Sequence, residues 1–549
     1  MAQEFKLKDV TSLQMKNGEK KEAEVEGVEG GKVLLLKVQD QVHATSPNCT
    51  HYGAPLVKGV LTPEGRLTCP WHGACFKVST GDVEDAPALD PIDKYEVIEN
   101  DGAVYVKTTE EALKAKRRHL NIKCSLVSDD KVLVIGGGSG TLGAIEGLRG
   151  GGYTGKITVI SKEGYQPIDR TKLSKALLAD ISKLAWRQKD FYKDGSIDII
   201  EDEAKSIDFS GKKVSTKSGK EYEYTKLVLA TGGTPRWLPL EGLKGDLGNV
   251  FLLRTLPDVQ NILKAVGDNG KKIVVIGSSF IGMEVGNCLA GMKNDVTIIG
   301  MEEVPMERVM GKKVGAIFQG LLEKNGVKFK LSAGVDKATP STADASKVGA
   351  VHLKDGTVLE ADLVIEGVGV APATEYLKDN PSITLLKDGS LKTDESFAVE
   401  GLSGVYAIGD IATYPYHGPG GNGSPVRIEH WNVAQNAGRS VANTINNPGS
   451  KPKPFIPVFW SALGSQLRYC GNTMASGYDD VVVQGELEKP SFVAYYTKGE
   501  TVVAVASMMK DPYMTQAAEL MRRNKMPSKS ELQKGVDILE ISLPSEVKI

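Results

Sequence analysis

Two short segments near the N-terminus have the residue types and spacing of a metal centre: Cys49 and His51 in CTHYGAPL, and Cys69 and His72 in CPWHGACF. Two thiolates can hold one iron of a 2Fe-2S cluster while two neutral imidazoles hold the other. The same four residues would also suit a tetrahedral zinc ion. Zinc sites seldom pair Cys-x-His with Cys-x-x-His, and Gly53 and Gly73 follow the ligands where cluster loops turn tightly, so the two-iron reading is preferred. Cys75, also in the second segment, reads as a small buried hydrophobe.

Further along, a strand starting at Val132 runs into Gly136, Gly137, Gly138, Ser139, Gly140 and Thr141 and then a helix. A pyrophosphate would sit there on free backbone N–H groups at the helix N-terminus. Lys162 stands where an acidic residue often grips the adenosine ribose, with Glu163 next to it. A second strand, turn and helix begins at Ile273 and carries Gly277, Ser279, Phe280, Ile281, Gly282 and Glu284. After its next strand, Glu302 and Glu303 precede any Arg until Arg308, and acidic groups there would repel a 2′-phosphate, which favours NADH over NADPH.

These residues need several folding units to position them. A chain of 549 residues is too long for one hydrophobic core, and 41% hydrophobic with 25% charged residues is an ordinary globular balance. Short alternating strands predict an all-β unit over 1–108, and the charged stretch EEALKAKRRH falls in a linker, 109–128. Two α/β dinucleotide-binding domains follow: the first is split between 129–255 and 389–451 around the second, 256–388, and an α+β unit occupies 452–549. A formal net charge of −2 offers no global attraction to nucleic acid, and no partner of that kind is expected. Six scattered Cys argue against a disulfide framework and for a reducing compartment. No Cys pair of redox spacing follows the first Gly-rich turn, so disulfide reduction is disfavoured. No transmembrane segment or leader is seen, and a cytoplasmic location is expected, with a mitochondrial one as the alternative.

The first hundred or so residues resemble the Rieske family. The high-potential respiratory type carries an extra Cys in each ligand loop, which pair as a disulfide, and a Ser and a Tyr that donate hydrogen bonds to sulfur. Here those places hold Ala54, Trp71, Ala74 and Phe76. The resemblance therefore implies a potential toward the low end of a range of roughly −150 to +300 mV. Arg170 to Lys175, in DRTKLSK, resemble a stretch of FAD-dependent ferredoxin reductases and apoptosis-inducing-factor-like flavoproteins. So do Thr231 and Gly232 after a strand, Asp410 in VYAIGD, and the loop with Glu429, His430 and Trp431.

The whole order is similar to the apoptosis-inducing-factor-like proteins with an N-terminal Rieske domain, and implies glutathione-reductase-like FAD and NAD domains. The implied cofactors are FAD, a Rieske 2Fe-2S cluster and NADH, with Lys175 beside the flavin as the catalytic cation. Electrons would pass from NADH through FAD to the cluster, leave at His51 and His72 where imidazole edges reach the surface, and go to an unidentified acceptor. Direct oxidase or quinone reductase chemistry from FAD, and a redox-gated pro-apoptotic binding role, are the competing readings. A homodimer is left open.

Overall fold

The computed structural model describes residues 2–549. In the N-terminal domain a six-stranded antiparallel sheet is built around Lys32–Val38, a strand whose two faces are both covered. Val33 and Leu35 pack with Tyr95, Val104 and Val106, while Leu34 and Leu36 pack on the opposite side with Leu56, Leu67 and Phe76. The period of two along a strand makes this possible. The second face supports a small antiparallel sheet of Val60–Leu61, Arg66–Thr68, Cys75–Lys77 and Val83–Asp85. One Cys/His loop leads into that sheet from Gln41–Thr45, and the other joins two of its strands. The charged linker forms a short helix, Glu110–Ala115, which the Thr109 side chain caps by accepting the Ala112 N–H.

Two parallel five-stranded sheets follow. The first is ordered Ile197–Glu201, Lys156–Ser161, Lys131–Ile135, Lys226–Leu229 and Val405–Ala407, and its last strand returns from late in the chain. The second is ordered Val250–Leu252, Leu363–Glu366, Lys272–Ile276, Asp295–Ile299 and Lys328–Lys330. Each has its Gly-rich turn at the C-terminal end of a central strand, the position where open parallel sheets bind ligands.

Helix Ser139–Gly150, after the first turn, is rich in glycine and weak by propensity. Packing explains it. A Cβ on Gly143 would lie 2.1 Å from the Gln435 carbonyl oxygen, and one on Gly438 2.1 Å from that of Gly140. Helix Trp431–Asn446 can therefore lie directly on its backbone, which brings His430 and Trp431 over the first turn.

The C-terminal unit is an antiparallel sheet in the order Val458–Ala462, Gln466–Gly471, Thr501–Met508, Ser491–Lys498 and Asp480–Glu486, covered by helix Tyr513–Arg522. This helix meets the β domain through charges removed from water. Arg66 Nε donates to Glu519 at 2.8 Å and pairs with Asp85, Thr68 donates to the same Glu519 oxygen at 3.1 Å, and Arg523 bridges Glu519 and Glu64. The first nucleotide unit adds Arg187, which pairs with Asp90 at 2.6 Å and with Glu146 at 2.7 Å.

Candidate functional site

The two ligand loops repeat one piece of backbone geometry. Cys49 N–H donates to the Ala54 carbonyl and Cys69 N–H to the Ala74 carbonyl, both at 2.8 Å, and Gly53 and Gly73 take φ of 79° and 74° to close the turns. The side chains meet as two pairs. The Cys49 thiol touches Cys69, and His51 Nδ1 lies 3.0 Å from His72 Nδ1. Among the described residues no three His, Cys, Asp or Glu converge as on a single ion. Sulfur paired with sulfur and nitrogen with nitrogen fits a two-iron cluster better than one tetrahedral ion. Contact with Cys69, reinforced by burial, holds the Cys49 thiol well above its ordinary range, while Cys69 is lowered, as two touching thiols that share one proton require. Burial pushes His51 down to about 3 and His72 well below the usual imidazole value, so both rings are held in the neutral form that ligates metal.

The imidazoles do not reach the surface. His51 is 9% exposed and His72 5%. Rings from other units cover them: Trp460, on the C-terminal strand Val458–Ala462, lies 4.3 Å from His72 and 5.7 Å from His51, and Trp186 lies 5.7 Å from His51. Tyr52 stacks on His51 at 3.8 Å and donates its hydroxyl to Asp169 of the first nucleotide unit. The expectation of a free imidazole edge considered the β domain alone, and the neighbouring units occupy that edge. Cys75 lies nearby as an enclosed thiol against Thr68, with burial pushing it up and keeping it protonated.

Trp460 also lines a cavity of about 740 Å³. Around it stand Gly136, Gly138, Ser139, Gly140, Glu163, Arg170, Lys175, Thr231, Gly232, Asp410, His430 and Trp431 from the first unit. Ser279, Phe280, Ile281 and Glu284 join them from the second. Thr141, Gly277, Gly282 and Glu302 are not in that wall: Thr141 hydrogen-bonds the Gly136 carbonyl at 2.7 Å from inside the helix, and Gly277 and Gly282 form the floor of the second turn. Gly136 and Gly277 take φ of 113° and 114°, which only glycine adopts easily, and open space faces Gly138 at the helix N-terminus. The residues present thus fit a resident dinucleotide at the first turn and a second nucleotide beside it.

Several charged side chains in the cavity are paired with one another. Arg170 grips Glu163 through both carboxylate oxygens at 2.9 and 3.0 Å. Burial alone would raise Glu163, and Arg170 more than offsets it, holding the carboxylate below its usual range. Lys175 Nζ lies 2.9 Å from Glu284, which also accepts from Ser174 at 2.5 Å and Ser461 at 2.6 Å. Three units therefore meet at one carboxylate. His430 is pushed down to about 3 by burial and by Lys175, and its Nδ1 accepts the Asn432 N–H, which leaves the ring proton on Nε2.

Sequence reasoning missed several of these groups. Arg254 reaches Asp410 at 2.7 Å, and its backbone oxygen accepts from Arg170. The Thr255 and Asp258 capping box that follows was the available signal. Trp186 and Glu366 carried no motif, and Trp460 and Ser461 lie in FWSALGSQLRYCG, a segment that resembles the family's C-terminal domain without pointing to the cavity. Near Glu302, Arg308 folds back to 3.6 Å, closer than its sequence separation suggested, although its side chain is 89% exposed.

A chain with two dinucleotide turns on one cavity, adjoining a Cys₂His₂ cluster site, belongs to the class of flavin-dependent NAD(P)H oxidoreductases. The comparisons give the family. Residues 130–438 match the pyridine nucleotide-disulphide oxidoreductase model, 5–96 the Rieske [2Fe-2S] domain and 458–539 the reductase C-terminal domain. Human apoptosis-inducing factor 3 is 37% identical, over 94% of this chain and 84% of its own length. Rubredoxin-NAD(+) reductase of Ectopseudomonas oleovorans is 32% identical, over 69% of this chain and 95% of its own. The solved covalent putidaredoxin reductase–putidaredoxin complex has a chain with a TM-score of 0.69 and 29% identity, covering 75% of this chain and 98% of that one. The protein belongs to the pyridine nucleotide-disulphide oxidoreductase family, in the Rieske-bearing form shared with apoptosis-inducing factor 3. It is a ferredoxin-reductase-like enzyme that uses FAD, NADH and a 2Fe-2S centre. Among the described residues no helix is long and apolar enough to cross a membrane.

Proposed function

We propose that this chain takes electrons from NADH at the shared cavity and conducts them within one polypeptide to the Cys49, His51, Cys69 and His72 site, from which a separate acceptor protein collects them. FAD bound at the first turn would supply the conversion from a two-electron hydride to single electrons, and the 2Fe-2S centre a one-electron store. The chain's own residues do the rest. Ser279, Phe280 and Ile281 of the second turn, with Glu302 beyond the next strand, would hold the nicotinamide nucleotide, while Gly136 to Thr141, Arg170, Thr231 and Asp410 would hold FAD. Lys175 would present a cation to the negative charge of a reduced flavin, and Glu284 with its two serines keeps that cation aimed.

The observation that carries this reading is the Trp460 ring, 4.3 Å from His72 and at the same time part of the cavity wall. In the putidaredoxin reductase structure the reductase was captured with a separate partner, whereas here the iron–sulfur domain is part of the chain. The test is His72→Ala. Flavin bleaching by NADH should persist while reduction of an external one-electron protein acceptor falls steeply. Undiminished acceptor reduction would take the cluster off the path and favour direct chemistry from the flavin.

A further inference from the structure

Glu366 ends the inner strand Leu363–Glu366 of the second nucleotide unit and lines the cavity, yet the electron path has no use for it. It is 3% exposed. One carboxyl oxygen accepts the Leu238 N–H at 2.8 Å, and the other is buried without a partner among the described residues. Its neighbour Gly367 packs on the second Gly-rich turn, since a Cβ on Gly277 would lie 2.4 Å from the Gly367 carbonyl oxygen. Glu366 is therefore one residue from the backbone that floors the turn, at the same strand end where a dinucleotide pyrophosphate is expected.

A buried carboxyl with one empty oxygen can be a carboxylate, which repels phosphate, or a neutral acid, whose O–H can donate to an oxygen. We propose that Glu366 is a proton-linked contact of the nicotinamide dinucleotide site, which binds the nucleotide with uptake of one proton onto this carboxyl. The proposal rests on the reading of the second turn as the NAD site.

The surroundings supply the bias. Burial pushes Glu366 up to about 7, and Asp246, on the loop packed over it, pushes in the same direction. Arg236, Glu241 and Lys244 on that loop are exposed, and the strands on either side place Leu252 and Ile276 next to it. Lys175 with Glu284 and Arg254 with Asp410 share the cavity but are paired with each other. His430 stays neutral far below this pH window. The sign follows from linkage. The free carboxyl ionises as pH rises through about 7, an anionic nucleotide favours the neutral form, and so affinity declines above that point.

NAD⁺, which cannot reduce the flavin, is the probe for calorimetry on the intact holoprotein between about pH 6 and 8.5. The Kd should rise by up to about tenfold per pH unit above the ionisation, with proton uptake seen as a dependence of the heat on buffer. Glu366→Gln should flatten the profile near the low-pH affinity of the parent. A parent Kd that does not change with pH, binding without proton uptake, or a slope retained in the Gln variant would overturn the proposal. Should the variant not fold, proton uptake by the parent alone decides it. No NAD⁺ binding at any pH would remove the nucleotide reading along with it, a result distinct from pH-independent binding.

Discussion

The two ends of the proposed cluster ligand set are built differently. Cys49 and Cys69 are enclosed by the β domain itself, in a core with Leu56, Leu67 and Phe76. His51 and His72 are finished by other units, with Trp186 from the first nucleotide unit and Trp460 from the C-terminal sheet closing over them. One domain makes the site, and the assembly of domains makes the way into it. Only the docked arrangement joins the imidazoles to the nucleotide cavity.

The largest effect should come from breaking the docking while sparing both ends. Glu519 accepts from Arg66 and Arg523 out of reach of water, and its removal leaves buried positive charge unpaired. Glu519→Ala should cost about 3–5 kcal/mol, read as separation of a β-domain unfolding step in calorimetry, while iron content stays near that of the parent. Loss of iron would show that the thiol end also depends on the interface. Next, Lys175→Met removes the cation upstream of the imidazole end. Flavin reduction by NADH should slow on the order of a hundredfold in stopped flow with FAD retained. An unchanged rate would remove Lys175 from the site.

The smallest effect is the sharpest on the comparison. Trp460→Leu keeps all four ligands and thins the contact outside His72, so electron arrival at the cluster should slow about tenfold with flavin reduction untouched. No change would mean that the imidazole end is not the way in.

What could be read from sequence divides along the same line. The Cys-x-His and Cys-x-x-His boxes and the two strand–turn–helix units were legible because each is local: ligand chemistry and loop geometry are set within a few residues. The β domain and the multidomain layout followed from alternation, glycine turns and the order of motifs. The covering of the imidazoles was not legible. It is made by Trp186 and Trp460, which lie 135 and 409 residues beyond His51 and whose local sequence does not point to the cluster. Imidazole edges can reach the surface where thiolates are enclosed, and the expectation for His51 and His72 rested on that without the rings that cover them. Arg254, Ser461 and Glu366 were missed likewise, since each acquires its partner only when segments far apart in sequence meet. The fold-back of Arg308 onto Glu302 depends on how the chain enters the helix after Met306, at φ of 56°, which spacing along the sequence does not reveal.

The central claim is that the electrons cross from the cavity to the imidazole end within one molecule. The measurement is anaerobic rapid mixing with NADH at several protein concentrations, following flavin absorbance optically and the reduced cluster by rapid-freeze EPR. Flavin bleaching should come first, and the cluster signal should follow at a rate independent of protein concentration. A cluster rate proportional to protein concentration, or no cluster signal after complete bleaching, would contradict the account.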